Sequence, residues 1–168
     1  DRWDGAVLRL RPYWRRTVIR HAGKPVAPDA NSTLRASFAH VQGYVPRDGM
    51  RMEPQTTLRG LVEKHVDAEP FDVPDAVLAA AIQDQLSAPV NFLADADTTG
   101  GNSGSPVVNG RGELVGVNFD RVWENVANDF GYNPEVARNI SVDVRYLLWM
   151  LEKVEKATEL LQELKVTK

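Results

Sequence analysis

The chain has 168 residues and a hydrophobic content of 43%, which suggests one domain with a packed core. Its 20 basic and 23 acidic residues give a formal charge of −3, so nothing points to a nucleic-acid-binding protein. The lack of cysteine excludes disulfide scaffolds and thiolate metal sites, no apolar run suits a membrane span, and we predict no metal or cofactor. Because the chain starts at Asp1 without a methionine, we expect the natural N-terminus to lie upstream.

A helix is predicted at the start of the chain, from about residue 5 to 22, where apolar residues recur at helical spacing. Gly23 is placed to end this helix, and Pro12 inside it predicts a kink or a later start. The proline-rich residues 24–28 predict a junction between two structural units.

The middle of the chain mixes strand and helix patterns. Loose alternation over residues 33–45 predicts a strand and hairpin, with turns near Gly43 and residues 48–49. The apolar residues of segment 58–62 suit either a short helical turn or a strand. Residues 74–86 predict a helix that begins at a proline.

Short strands and a final helix follow. Residues 90–93 and 139–142 predict strands, and residues 107–117 predict a hairpin. Residues 143–164 have helical periodicity throughout. The expected fold is mainly β with added helices, a β-barrel that carries helices at both ends.

A glycine-rich segment presents the candidate nucleophile. Ser103 stands between Asn102 and Gly104, and residues 98–106 read TTGGNSGSP. Glycines permit a sharp turn that exposes a hydroxyl, and they let main-chain N–H groups face a developing oxyanion. We expect Ser103 to attack and the amides of Gly101 and Ser103 to form the oxyanion hole. A plain turn between strands is the alternative.

No histidine of the chain suits the general base that such a serine needs. His21 falls near a helix end, His40 in an alternating segment, and His65 after a short charged stretch. Each is expected to be a surface or helix-end residue. The chain therefore carries part of an active site.

Five segments, in order, resemble the dipeptidyl-peptidase 7 and 11 family of bacterial serine exopeptidases. They are residues 29–35 (DANSTLR), 43–49 (GYVPRDG), 99–106 (TGGNSGSP), 118–124 (NFDRVWE) and 140–146 (ISVDVRY). The resemblance implies a chymotrypsin-like double barrel with an inserted helical domain. It further implies removal of dipeptides from free peptide N-termini, in the periplasm or outside the cell.

The resemblance also implies a division of the chain. Residues 1–24 would end the inserted helical domain, residues 25–145 would form the second barrel with a helical insertion near 74–87, and residues 146–168 the C-terminal helix. The family's histidine and aspartate would lie in the N-terminal part, which is absent here. The missing N-terminal barrel and helical domain of the same polypeptide would therefore pack with this chain. The sequence does not decide whether the protein forms a homodimer.

Two charged residues are assigned by the same resemblance. Asp120 would bind the substrate's α-ammonium group, and Arg121 stands where members that favour acidic residues carry arginine. A guanidinium fork binds a carboxylate in bidentate fashion, so the residue before the cleaved bond would be Asp or Glu. Without the resemblance, an exposed ion pair is the simpler interpretation. Trp123 is expected in the core or a pocket wall.

Two alternatives remain. The chain could be a trypsin-like binding module without catalysis, or part of an ordinary trypsin-like endopeptidase, which would need no amine anchor such as Asp120. The isolated 168 residues are predicted to be inactive, since removal of a triad member costs several orders of magnitude in rate.

Overall fold

The computed structural model of the chain describes residues 2–23, 34–129 and 131–166. It divides into two compact units, Asp1–Ala36 and Ser37–Lys168. The predicted junction at residues 24–28 lies outside the described residues, as do Asp29 and Asn31 of the first family motif.

The described part of the first unit contains one helix, α1 (Arg2–Ala22), and the predicted glycine cap is confirmed. Gly23 has a φ of +62°, and its N–H donates to the Ile19 carbonyl at 3.1 Å. Pro12 lies inside the helix without ending it. No residue of α1 is buried, so neither its basic nor its apolar side chains belong to a core here.

The second unit is built on two antiparallel sheets. A hairpin of β1 (Tyr44–Arg47) and β2 (Met50–Met52) turns at Gly49, where φ is +76°. A five-stranded sheet has the order β3-β4-β7-β6-β5. Its strands are β3 (Gln55–Thr57), β4 (Pro89–Ala94), β5 (Pro106–Val108), β6 (Leu114–Arg121) and β7 (Asn139–Asp143).

The predicted combination of sheets with attached helices is confirmed, but a closed barrel is not seen in the described residues. The five-stranded sheet is open there, with β3 and β5 at its two edges. The strand predicted over residues 33–45 is also wrong in its first part. Residues 34–40 are irregular and exposed, and the segment joins the sheet only through a bridge from Val41 to Ala94.

The apolar core lies where helices meet β4. The ambiguous segment near residue 58 forms helix α2 (Leu58–Glu63), and the predicted helix near residue 74 is α3 (Asp75–Gln83). Helix α4 (Val144–Trp149) follows β7. Buried residues from these elements form one cluster: Leu58, Val77, Ala81, Val90 and Trp149.

The single C-terminal helix predicted over residues 143–164 is broken. After α4, Met150–Val154 form a π-helix, and α5 (Thr158–Glu163) starts only after a short interruption. Lys156 has a φ of +53° at the break. Because the apolar periodicity continues across this point, the sequence pattern does not predict the left-handed backbone conformation of Lys156.

Candidate functional site

Ser103 lies exposed on the glycine loop between β4 and β5. Gly101 has a φ of +96° and Gly104 a φ of +85°, a region that L-residues with a side chain rarely adopt. These two left-handed turns flank the serine. The Ser103 hydroxyl donates to the Phe119 carbonyl on β6 at 3.1 Å.

Strand β6 holds the loop on both sides of the serine, largely through Asn118. Its carbonyl accepts from the Gly104 N–H at 2.8 Å, and its N–H donates to the Ser105 carbonyl at 2.9 Å. Its side-chain Nδ2 donates to the Asn102 carbonyl at 3.1 Å. The predicted turn is therefore an ordered loop whose position depends on the sheet beneath it.

The two amides predicted as oxyanion donors belong to Gly101 and Ser103. Within the part of the chain that the structure describes, no oxygen accepts a hydrogen bond from either N–H. Neighbouring amides of the loop are used: Asn102 N–H donates to Thr99, and Ser105 N–H donates to Asn102. The Gly101 and Ser103 donors are therefore available to another acceptor, as is the Gly100 N–H, which has no acceptor among the described residues either.

None of the three histidines is paired with Ser103 in the described structure. His21 lies exposed near the end of α1. His40 is exposed, with Nδ1 3.9 Å from Asp95 Oδ2. His65 Nδ1 accepts from the Val73 N–H at 3.0 Å, and its Nε2 lies 3.3 Å from Asp67 Oδ1.

A β-bulge in β6 leaves Asp120 exposed instead of on the buried face of the sheet. Asn118 pairs with Ser141 and Asp120 with Ile140, so Phe119 is an extra residue in the strand. Strand alternation would otherwise place Asp120 on the buried face with Asn118. The bulge instead leaves Asp120 exposed, and it turns the Phe119 carbonyl to the Ser103 hydroxyl.

Asp120 and Arg121 are thus one and two residues from the carbonyl that binds Ser103. Asp120 Oδ1 accepts from the Arg121 N–H at 2.8 Å, which orients that carboxylate against the main chain. Arg121 is half-buried and lies opposite Asn139 of β7. The structure therefore brings the predicted nucleophile and the two predicted binding residues to the same end of β6.

The segment after Arg121 is fixed by the buried Arg138, which sequence reasoning missed. Its guanidinium donates only to main-chain carbonyls among the described residues, including Gly43 at 3.0 Å and Pro134 at 3.0 Å. Its own N–H donates to Asn125 Oδ1 at 2.8 Å, and its carbonyl accepts from the Val122 N–H at 3.0 Å.

Tyr44 adds a further support between the hairpin and the 3₁₀-helix Trp123–Asp129. Its hydroxyl donates to Glu124 Oε2 at 2.8 Å, and Arg138 lies 5.7 Å from the centre of its ring. Burial, followed by the bond to the Glu124 carboxylate, raises the pKa of Tyr44 to about 12. On the same 3₁₀-helix Trp123 is 83% exposed, so the core is excluded as its place and the pocket wall stays a prediction.

The described residues contain neither a metal-binding cluster nor a helix suited to span a membrane. No group of three or more histidine and acidic side chains there is arranged to hold a metal ion. No helix in the same residues has the length and apolar character that crossing a bilayer requires.

The family model for peptidase S46 matches residues 1–166. The chain belongs to the peptidase S46 family. In this family it is 41% identical over 194 residues to the Asp/Glu-specific dipeptidyl-peptidase of Shewanella putrefaciens, an alignment that covers 96% of this chain and 26% of that protein. It is 35% identical over 175 residues to dipeptidyl-peptidase 7 of Phocaeicola vulgatus, covering 96% of this chain and 24% of that one.

The chain also matches solved structures of DPP11. The crystal structure of Porphyromonas endodontalis DPP11 in complex with the dipeptide Arg-Glu matches with a TM-score of 0.83 and 40% identity, covering 90% of this chain and 23% of that one. The resemblance found in the sequence is confirmed. The chain spans about a quarter of the length of the S46 peptidases it matches.

Proposed function

We propose that this chain supplies the nucleophile and the acidic-residue pocket of a serine dipeptidyl-peptidase that cleaves after Asp or Glu. One observation carries the proposal: the Ser103 hydroxyl is bound to the carbonyl that directly precedes the Asp120–Arg121 pair. Similarity to Asp/Glu-specific dipeptidyl-peptidases supports the choice of substrate.

Ser103 would attack the carbonyl carbon of the second residue of a peptide, so that the bond after this residue is cleaved. The main-chain N–H groups of Gly101 and Ser103 would bind the oxyanion, and neither has an acceptor in the described residues. Collapse of the tetrahedral intermediate releases the shortened peptide, and water then hydrolyses the acyl-enzyme. The histidine and aspartate of the triad would come from polypeptide beyond this chain.

Asp120 would recognise the free N-terminus of the substrate, and Arg121 would recognise its acidic side chain. An exposed carboxylate can bind the α-ammonium group through a charge-assisted hydrogen bond, which an internal peptide bond cannot offer. The neighbouring guanidinium would bind the Asp or Glu side chain before the cleaved bond. Asp120 and Arg121 directly follow Phe119, whose carbonyl accepts from the Ser103 hydroxyl, so both proposed binding residues lie at the end of β6 next to the proposed nucleophile.

The test is turnover of dipeptidyl-naphthylamides ending in Asp or Glu by the complete protein. Ser103→Ala should reduce kcat by several orders of magnitude, because the nucleophile is lost. Ser105→Ala is the matched control, since its loop contacts are made by the main chain, and it should keep most of the activity. Unchanged turnover by Ser103→Ala would remove the proposal, and an inactive wild-type protein would favour the binding module.

The cellular location is proposed on the same basis. An enzyme that trims external peptides would act in the bacterial periplasm or after secretion. Fractionation of the source cells, with activity assayed in each fraction, tests this: activity confined to the cytoplasm would contradict it.

A further inference from the structure

We infer that Asn118 is a positioning residue for the oxyanion hole, acting through the peptide bond between Asn102 and Ser103. The inference rests on the proposed function, since it concerns the same nucleophile loop. Its basis is the contact from Asn118 Nδ2 to the Asn102 carbonyl, 3.1 Å long.

The contact controls the direction of a catalytic donor. A peptide unit is planar and trans, so the Asn102 carbonyl and the Ser103 N–H point in opposite directions from one rigid plane. Two donors hold that carbonyl, the Ser105 N–H at 3.1 Å and Asn118 Nδ2 at 3.1 Å. Fixing the carbonyl therefore fixes the Ser103 N–H, which is one of the two proposed oxyanion donors.

The Asn118 amide is itself held in one orientation. Asn118 is 5% exposed, and its Oδ1 accepts from Asn139 Nδ2 at 2.7 Å. Because Asn139 presents a donor, the Oδ1 of Asn118 must face β7 and its Nδ2 must face the serine loop. A buried amide with both ends bonded stays in place and needs little reorganisation during the reaction.

If Asn118 had only a structural role, its main-chain hydrogen bonds would be sufficient and its side chain would not affect the reaction. The main chain of Asn118 already joins β6 to the loop through Gly104 and Ser105, and any residue at this position would make those bonds. The side chain adds one thing toward the serine, the bond to the Asn102 carbonyl. Its removal should weaken transition-state stabilisation while the sheet and the substrate pocket persist.

The experiment uses the complete protein with Asn118→Asp and Asn118→Thr. Ionised aspartate has the same shape but lacks the donor, whereas a protonated carboxyl would restore it. Asn118→Thr is therefore the decisive variant, because threonine is uncharged, suits a strand and is too short to reach Asn102. The first readout is inactivation by diisopropyl fluorophosphate, in which a bond forms from Ser103 Oγ to phosphorus, fluoride leaves, and the hydroxyl proton passes to the general base. This reagent needs neither Asp120 nor Arg121.

Both variants should be inactivated about 10- to 100-fold more slowly, somewhat less than the loss expected when an oxyanion donor is removed outright. With an Asp-ending dipeptidyl substrate, kcat should fall by a similar factor and KM should change little. Ser141→Ala is the control. It removes the 3.2 Å bond from Asn139 in the same buried cluster without touching the serine loop, and it should react at the wild-type rate.

Three outcomes would overturn the inference: wild-type inactivation rates in the folded Asn118 variants, a raised KM with unchanged kcat, or failure of Asn118→Thr to fold. The last would show that the sheet, and not the loop, needs the amide. Failure of the proposed function looks different, because Ser103→Ala would then be labelled as fast as the wild type.

Discussion

At the scale of single residues, Arg121 is the residue on which the proposed substrate selection depends. It follows Asp120 at the end of β6, and a guanidinium there offers a bidentate partner to a carboxylate. Glycine at this position would remove the charge and leave open space.

We expect Arg121→Gly in the complete protein to lower kcat/KM for substrates ending in Asp or Glu by about 10- to 100-fold, the loss of a charge-assisted hydrogen bond. The relative rate for apolar residues should rise. Dipeptidyl-naphthylamides that differ only in the second residue measure this shift. Arg111→Gly is a matched control on the exposed β5–β6 turn, and unchanged selectivity in Arg121→Gly would refute the pocket assignment.

Sequence reasoning reached the candidate site residues where a local pattern singles them out, and their roles stay predictions. Ser103 and Gly101 stand in a short glycine motif, and the family resemblance added Asp120 and Arg121. Asn118 and Arg138 were missed because their partners are distant in sequence: Asn102 lies 16 residues before Asn118, and Gly43 lies 95 before Arg138. A polar residue inside the apolar strand pattern of β6 was the one available sign of Asn118.

At the scale of elements, Asp143 joins β7 to α4. Its Oδ1 accepts from the Arg145 N–H at 2.9 Å as a helix N-cap, and the Arg145 guanidinium donates to the same carboxylate at 2.9 and 2.7 Å. Burial opposes ionisation of Asp143, but these hydrogen bonds and the charge of Arg145 outweigh it and lower its pKa.

Asp143→Ala should therefore lower the free energy of unfolding by about 1–2 kcal/mol, the usual value for a lost N-cap. The folded pKa lies below the unfolded one, so this stabilisation is present above the ordinary aspartate range and is lost as the pH falls through the folded value. Urea unfolding at a series of pH values measures both effects. Asp75→Ala is the control, because α3 has no side-chain cap, and an equal loss there would contradict the assignment.

Elements with a strong local pattern were predicted well, as α1, α3 and β4 show. Elements whose formation depends on which of two segments pairs with a neighbouring strand were not predicted well. Residues 34–40 alternate like a strand, yet β3 occupies most of that side of β4. The bulge at Phe119 is equally invisible in sequence, since it exists only as a mismatch between β6 and β7.

At the scale of the whole molecule, the proposed nucleophile Ser103 has no paired base among the described residues. Ser103 Oγ donates to a carbonyl, and no histidine bonds to it in the described residues. A serine hydroxyl that keeps its proton is a weak nucleophile.

We therefore expect the isolated 168-residue chain to hydrolyse dipeptidyl-naphthylamides several orders of magnitude more slowly than the complete protein. Circular dichroism of the isolated chain shows whether the sheet and helices have formed, so that inactivity is not confused with unfolding. Strong hydrolysis by the folded chain would mean that a base lies within these residues.

The sequence by itself determined the family and the positions of most helices and strands, and it singled out Ser103 as the candidate nucleophile, because each is encoded in neighbouring residues or at a regular period. Tertiary structure alone decided how the site is assembled. The bulge that exposes Asp120, the Phe119 carbonyl that binds Ser103 and the Asn118 amide that fixes Asn102 all arise from hydrogen bonds between strands and loops. Such bonds depend on which segments become neighbours in space, and local periodicity carries no record of that pairing.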